Sequence, residues 1–183
     1  TTPFMTKMMA TNLELYQAGE GVTAAGVFYS AGSKYSIISG PFGAGWFSPT
    51  GSGITMGLII AVMLFSKRDD FKAIAKLAIP CGIFNINEPI IFGIPMVMNA
   101  MFAVPFFLAP VACICCGYLV QSLGLCPLFV IDVPWTTPVG LFGFLASSGN
   151  IMGGIWQIVI IVGVSTLIYT PFVIAANRQG AEA

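Results

Sequence analysis

The sequence predicts an all-α polytopic membrane protein, built of transmembrane helices together with broken helices and re-entrant hairpins. Three observations carry that expectation. Of 183 residues, 57% are hydrophobic and 8% charged, with a mean hydropathy of +0.91, so too few charges remain to cover a water-facing surface. Three apolar runs, near 50–66, 101–121 and 151–176, reach the roughly 17 to 20 residues needed to cross a hydrocarbon core of about 30 Å. Between and beside them lie apolar stretches broken by proline, glycine and asparagine. Membranes tolerate irregular backbone only where protein or a water-filled cavity satisfies the freed polar groups.

The elements follow in order. Residues 1–20 carry Lys7, Glu14 and Glu20 on a loose apolar spacing, as in an interfacial or amphipathic segment. Residues 21–49, rich in Gly, Ser and aromatics around Lys34, suit close-packed helices or irregular backbone buried in protein. Thr50 to Ser66 reads as a membrane helix, and the following loop, Lys67 to Lys76, holds four cations that place it in the cytoplasm. Residues 77–99 contain Pro80, Gly82, Asn85, Asn87, Pro89, Gly93 and Pro95. Proline removes a donor and biases the residue before it away from the helical region, which predicts a re-entrant hairpin or unwound helix with Glu88 in its bend.

Residues 101–121 then form a spanning helix bent at Pro105 and Pro110, and 122–138 a proline-rich loop or partial entry. Residues 139–148 are too short to span; 151–176 form a second spanning helix ending at Arg178, a cytoplasmic end. If 77–99 and 133–148 each dip in and return, both cationic ends share one side.

Several functions are excluded by composition. Seven Lys+Arg against seven Asp+Glu leave no basic footprint for nucleic acid. With no His and no second pair at ligand spacing, Cys81, Cys113, Cys115, Cys116 and Cys126 read as small packing residues, so neither a metal nor a cofactor is expected. The candidate site lies instead at Glu88, since Asp132 is the only other acidic or basic side chain between Lys76 and Arg178. A carboxylate at bilayer depth costs a few kcal/mol or more, so it is kept where it binds something. The same carboxylate could instead cap the amides of a broken helix.

The run Gly82-Ile83-Phe84-Asn85-Ile86-Asn87-Glu88-Pro89-Ile90-Ile91-Phe92-Gly93-Ile94-Pro95, followed by Val133-Pro134-Trp135-Thr136-Thr137-Pro138, resembles the lactose/cellobiose family of phosphotransferase-system enzyme IIC sugar transporters. The similarity extends from about Gly21 to Arg178, including Gly51-Ser52-Gly53-Ile54-Thr55 and the basic stretch. It implies a multi-pass protein of the bacterial inner membrane, homodimeric at full length, of which residues 1–183 form a single membrane domain. That domain would be the C-terminal, substrate-binding part, without the N-terminal dimerisation half. Members carry a histidine in an upstream Gly-Ile-His-Gly-like motif, and this sequence has none.

The resemblance further implies transport of a β-linked disaccharide such as cellobiose or diacetylchitobiose. The sugar would be phosphorylated by a phosphocysteine on a cytoplasmic IIB partner, itself served by IIA. Glu88 corresponds to the family's sugar-binding glutamate, either orienting the reacting hydroxyl or accepting its proton. Asn85 and Asn87 offer donors and acceptors for sugar hydroxyls, Trp135 a ring for the apolar face of a pyranose, and Thr136 and Thr137 further hydroxyls. Each has a plainer reading, hairpin backbone bonding for the asparagines and an interfacial belt for Trp135. The rival functions are a proton-coupled transporter and a structural membrane subunit.

Overall fold

A computed structural model describes residues 3–94, 96 and 100–179. Pro95 of the long motif, residues 97–99 of the expected hairpin and the tail beyond 179 lie outside the described residues. All named elements are helical: α1 Pro3–Gln17, α2 Gly40–Trp46, α3 Met56–Phe65, α4 Asp69–Ile83, α5 Glu88–Gly93, α6 Ala100–Ser122, α7 Leu141–Ala146, α8 Ile151–Ile158 and α9 Ser165–Gln179. A π-helical segment, Val159–Val164, joins α8 to α9, so 151–179 is one long helix.

Among the described residues two helices are long and apolar enough to cross a membrane, Met101–Ser122 and Ile151–Arg178. Only 28% of the most apolar window of each is buried, and Phe107, Leu119, Ile151 and Leu167 stand on the exterior. An apolar exterior is what a lipid-facing surface requires and what a core helix would lack. The prolines at 105, 110 and 171 lie within continuous helix.

The expected membrane helix over 50–66 is corrected. α3 begins only at Met56 and has 10 residues, about 15 Å of rise, half a hydrocarbon core. The residues before it cannot be helical because Thr50, Gly51, Gly53 and Ile54 all adopt positive φ, between 51° and 82°. The cationic stretch 67–76 is likewise mostly helix and not loop. Asp69 and Asp70 occupy the first turn of α4, where carboxylates complement the positive end of the helix dipole. Arg68 binds Asp70 through Nη2 at 2.6 Å and lies 4.0 Å from the Phe71 ring centre. The guanidinium holds the Asp70 carboxyl below its ordinary range, although so exposed a pair adds little stability.

Residues 77–99 do break, but not at Pro80: α4 continues through it to Ile83, and the interruption falls at 84–87. The 133–148 region also returns on itself. Val130 N and Ile131 N donate to Ala146 O at 2.8 and 3.1 Å, closing the excursion that includes α7.

Two apolar clusters hold these parts. In one, Trp46 stacks on Phe129 with ring centres 5.1 Å apart, and Phe142 meets Phe129 edge-on at 6.2 Å. The other gathers Leu58, Ile59, Phe71, Ile90, Phe102, Tyr169 and Val173 from α3, α4, α5, α6 and α9. α3 and α9 run side by side in the same direction: Gly57 meets Ser165 near their starts, and Asn177 joins their ends. Asn177 accepts from Lys67 N and donates to Phe65 O, each at 2.8 Å. Replacing it by Ala will cost about 0.5–1.5 kcal/mol and speed tryptic cleavage after Lys67 and Arg68; an unchanged cleavage rate would show that the α3–α4 connection is held by other contacts.

Candidate functional site

The site is built where α4 stops. Phe84 N and Ile86 N donate to Cys81 O at 3.0 Å, and Asn85 N to Gly82 O at 3.1 Å, wrapping up the last turn. Asn85 then takes φ +64°, a left-handed conformation that asparagine tolerates better than most side chains. The chain restarts as α5 with Asn87 before it, Glu88 first and Pro89 second, where a proline costs no hydrogen bond.

Asn85 is a hub. Its side chain is buried, and its amide nitrogen donates to Thr137 O at 2.8 Å and to Trp135 O. Its oxygen accepts from Thr50 N at 2.8 Å. Asn87, also buried, donates to Ser52 O at 2.7 Å. Gly51 lies so close that a Cβ there would stand 2.6 Å from Asn87 Nδ2. Two carboxamides thus bring together the three stretches that the sequence singles out: 51–55 through Ser52 and the adjoining Thr50, 82–95 through Asn85 and Asn87 themselves, and 133–138 through Trp135 and Thr137.

Around this buried knot the other candidates point outward. Glu88 is exposed, and the ion pairs among the described residues, Lys34–Glu20 and Arg68–Asp70, leave it aside. Asn87, the N-cap residue of α5, makes no side-chain cap hydrogen bond, and Glu88 stands in the first turn. Trp135 is 67% exposed, Thr136 exposed and Thr137 half-buried. Trp135 lines an open cleft of about 580 Å³ together with Asp132, Val133 and Pro134; the facing wall is Thr6, Met9, Gly40 and Ala44 from α1 and α2. That volume falls in the range of small-molecule sites. Asp132 is exposed at the cleft. Glu88 is not among the lining residues of this cleft; it is tied to the Trp135 loop through Asn85, three residues before it.

Three participants were not among the site residues expected from the sequence. Thr50 and Ser52 offer only backbone groups to Asn85 and Asn87, and backbone roles leave no signature beyond the glycines beside them. Gln157 is fully buried, accepts from Gly140 N at 2.8 Å and Gly143 N at 2.7 Å, and donates to Gly45 O at 3.0 Å. A lone carboxamide within the apolar run 151–176 was the available signal. Among the described residues no group of acidic, cysteine or histidine side chains could hold a metal, and all five cysteines are free.

Comparison with known proteins gives the family. The family model described as Phosphotransferase system, EIIC matches residues 1–110. The chain is 42% identical over 133 residues to a PTS system cellobiose-specific EIIC component of Lactococcus lactis subsp. lactis (strain IL1403), covering 73% of this chain and 26% of that protein. It is 34% identical over 165 residues to a PTS system lactose-specific EIICB component of Staphylococcus aureus, covering 88% and 26%. The crystal structure of the transporter ChbC, the IIC component from the N,N'-diacetylchitobiose-specific phosphotransferase system, superposes with a TM-score of 0.84 at 32% identity. That match covers 98% of this chain and 39% of ChbC. The chain therefore spans between about a quarter and two-fifths of the length of these relatives.

Proposed function

Because the chain belongs to the EIIC family of the phosphotransferase system, we propose that it forms the sugar-binding part of a permease for a β-linked disaccharide of the cellobiose type. The observation that carries this reading is the convergence of the Glu88 bend and the Trp135 loop on Asn85, with both outer side chains left exposed. A disaccharide offers hydroxyl edges and apolar ring faces. Glu88 would accept from the hydroxyls, and Trp135 would pack against a ring face in the cleft. Thr136 and Thr137 stand in the same turn and supply hydroxyls of their own.

Asn85 and Asn87 serve this site chiefly from beneath. Both amide hydrogens and the oxygen of Asn85 are engaged by backbone, so its contribution is to fix the loops. Asn87 commits one donor to Ser52 O, and its oxygen lies outside that contact. In this reading Glu88 keeps the reacting hydroxyl in place while a cytoplasmic IIB protein, loaded by IIA, delivers the phosphoryl group. Fusion of the two parts in the lactose-specific EIICB relative supports such a partner. The full-length protein would act in the bacterial cell membrane as a multi-pass homodimer.

Uptake of labelled cellobiose by cells expressing the full gene product will require phosphoenolpyruvate and yield a sugar phosphate, and collapsing the proton gradient at constant phosphoenolpyruvate will leave it intact. Unmodified sugar accumulating in step with the proton gradient would instead make Glu88 a proton carrier. No sugar dependence at all would make the chain a structural subunit.

A further inference from the structure

The loop that carries Trp135 is suspended between two buried carboxamides. Asn85 holds its first half through Trp135 O and Thr137 O. Gln157 holds its far end: one oxygen accepts from both Gly140 N and Gly143 N, at 2.8 and 2.7 Å. These are amides at the start of α7, a helix without a side-chain cap of its own. Orphan amides at a helix start need an acceptor, and here a residue of another helix supplies it. The Gln157 nitrogen meanwhile donates to Gly45 O of α2 at 3.0 Å.

α2 provides Gly40 and Ala44 to one wall of the cleft, and the Trp135 loop provides the other. Gln157 is therefore bonded to the supports of both walls at once. The three groups it touches are backbone and cannot swing to a new partner without moving their element. We propose that Gln157 is a positioning residue that sets the separation of the two cleft walls, and through it the affinity for sugar. This inference rests on the cleft being the sugar site.

The test uses membrane vesicles from cells expressing the full gene product, titrated with cellobiose and followed by tryptophan emission, with Trp135→Phe as the control for the signal. Gln157→Met, equal in length but without an acceptor, will raise Kd by about tenfold or more. Gln157→Glu, in its neutral form, offers an oxygen to Gly140 N and Gly143 N and an O–H to Gly45 O, and will bring Kd back to within about threefold of the parent. Gln157→Asn, one methylene shorter, cannot span both walls and will be intermediate; it serves if the Met variant does not reach the membrane.

A purely architectural role would reduce the amount of folded protein at constant Kd, and that outcome overturns the inference, as does equal weakening by Met and Glu. If Glu88→Gln and Trp135→Ala, read by retention of labelled cellobiose, weaken binding about tenfold or more while the Gln157 variants bind normally, this inference alone fails. If those two changes leave binding intact, it is the sugar-site reading that fails.

Discussion

Replacing Glu88 by Gln will weaken cellobiose binding about ten- to a hundredfold while leaving the protein folded. The side chain is exposed and outside the ion pairs of the described residues, so its loss strands no buried partner, and glutamine preserves the size and the helix start. What disappears is a charge-assisted hydrogen bond to a sugar hydroxyl, worth about 1.5–3 kcal/mol. If the carboxylate also takes the proton of the reacting hydroxyl, phosphorylation of bound sugar will fall by more than binding does. Equilibrium titration beside a single-turnover phosphorylation assay separates the two roles. Unchanged affinity with normal membrane assembly would remove Glu88 from the site.

Gly57→Ala will destabilise the helical frame, and Gly163→Ala will not. A Cβ on Gly57 would stand 2.5 Å from the backbone carbon of Ser165 and 2.6 Å from its Cβ. Backbone on a facing helix has no rotamer through which to retreat, so α3 and α9 must move apart. Overpacking of this kind costs about 1–3 kcal/mol, and it should spread to the bonds of Asn177 at the other end of the pair. Gly163 has nothing within 4 Å of its would-be Cβ, and alanine there gains up to about 1 kcal/mol of helix propensity. The temperature of thermal inactivation in detergent should fall for the first variant and hold or rise for the second. The same shift in both would show that glycine acts through the unfolded chain and not through helix approach.

Much of the site is legible in residue order because its chemistry is concentrated in side chains of unusual type. A single carboxylate in a long apolar tract, two asparagines flanked by prolines and a tryptophan in a second proline-rich turn stand out against any lipid-facing background. The helix breaks were readable in kind but not in place. Pro80 looks like a break and is absorbed into α4, whereas Asn85, a residue with modest breaking power, carries the left-handed turn that ends the helix. Length and hydropathy likewise extend α3 back to Thr50, and only the positive φ values at Thr50, Gly51, Gly53 and Ile54 exclude helix there. Those values are held by contacts from elsewhere in the chain, since Asn85 accepts from Thr50 N and Asn87 donates to Ser52 O.

The amino-acid order by itself determined the membrane class, the two long apolar helices, the polar interruptions and the family, because each depends on composition or on neighbours along the chain. Only the tertiary structure decided that Asn85 spends its amide on Trp135, Thr137 and Thr50, and that Gln157 caps the start of an earlier helix while gripping α2. A buried carboxamide bonds to whatever backbone the fold leaves unpaired. Unpaired backbone carries no residue code, so its partners are set by packing between distant segments and stay invisible until those segments meet.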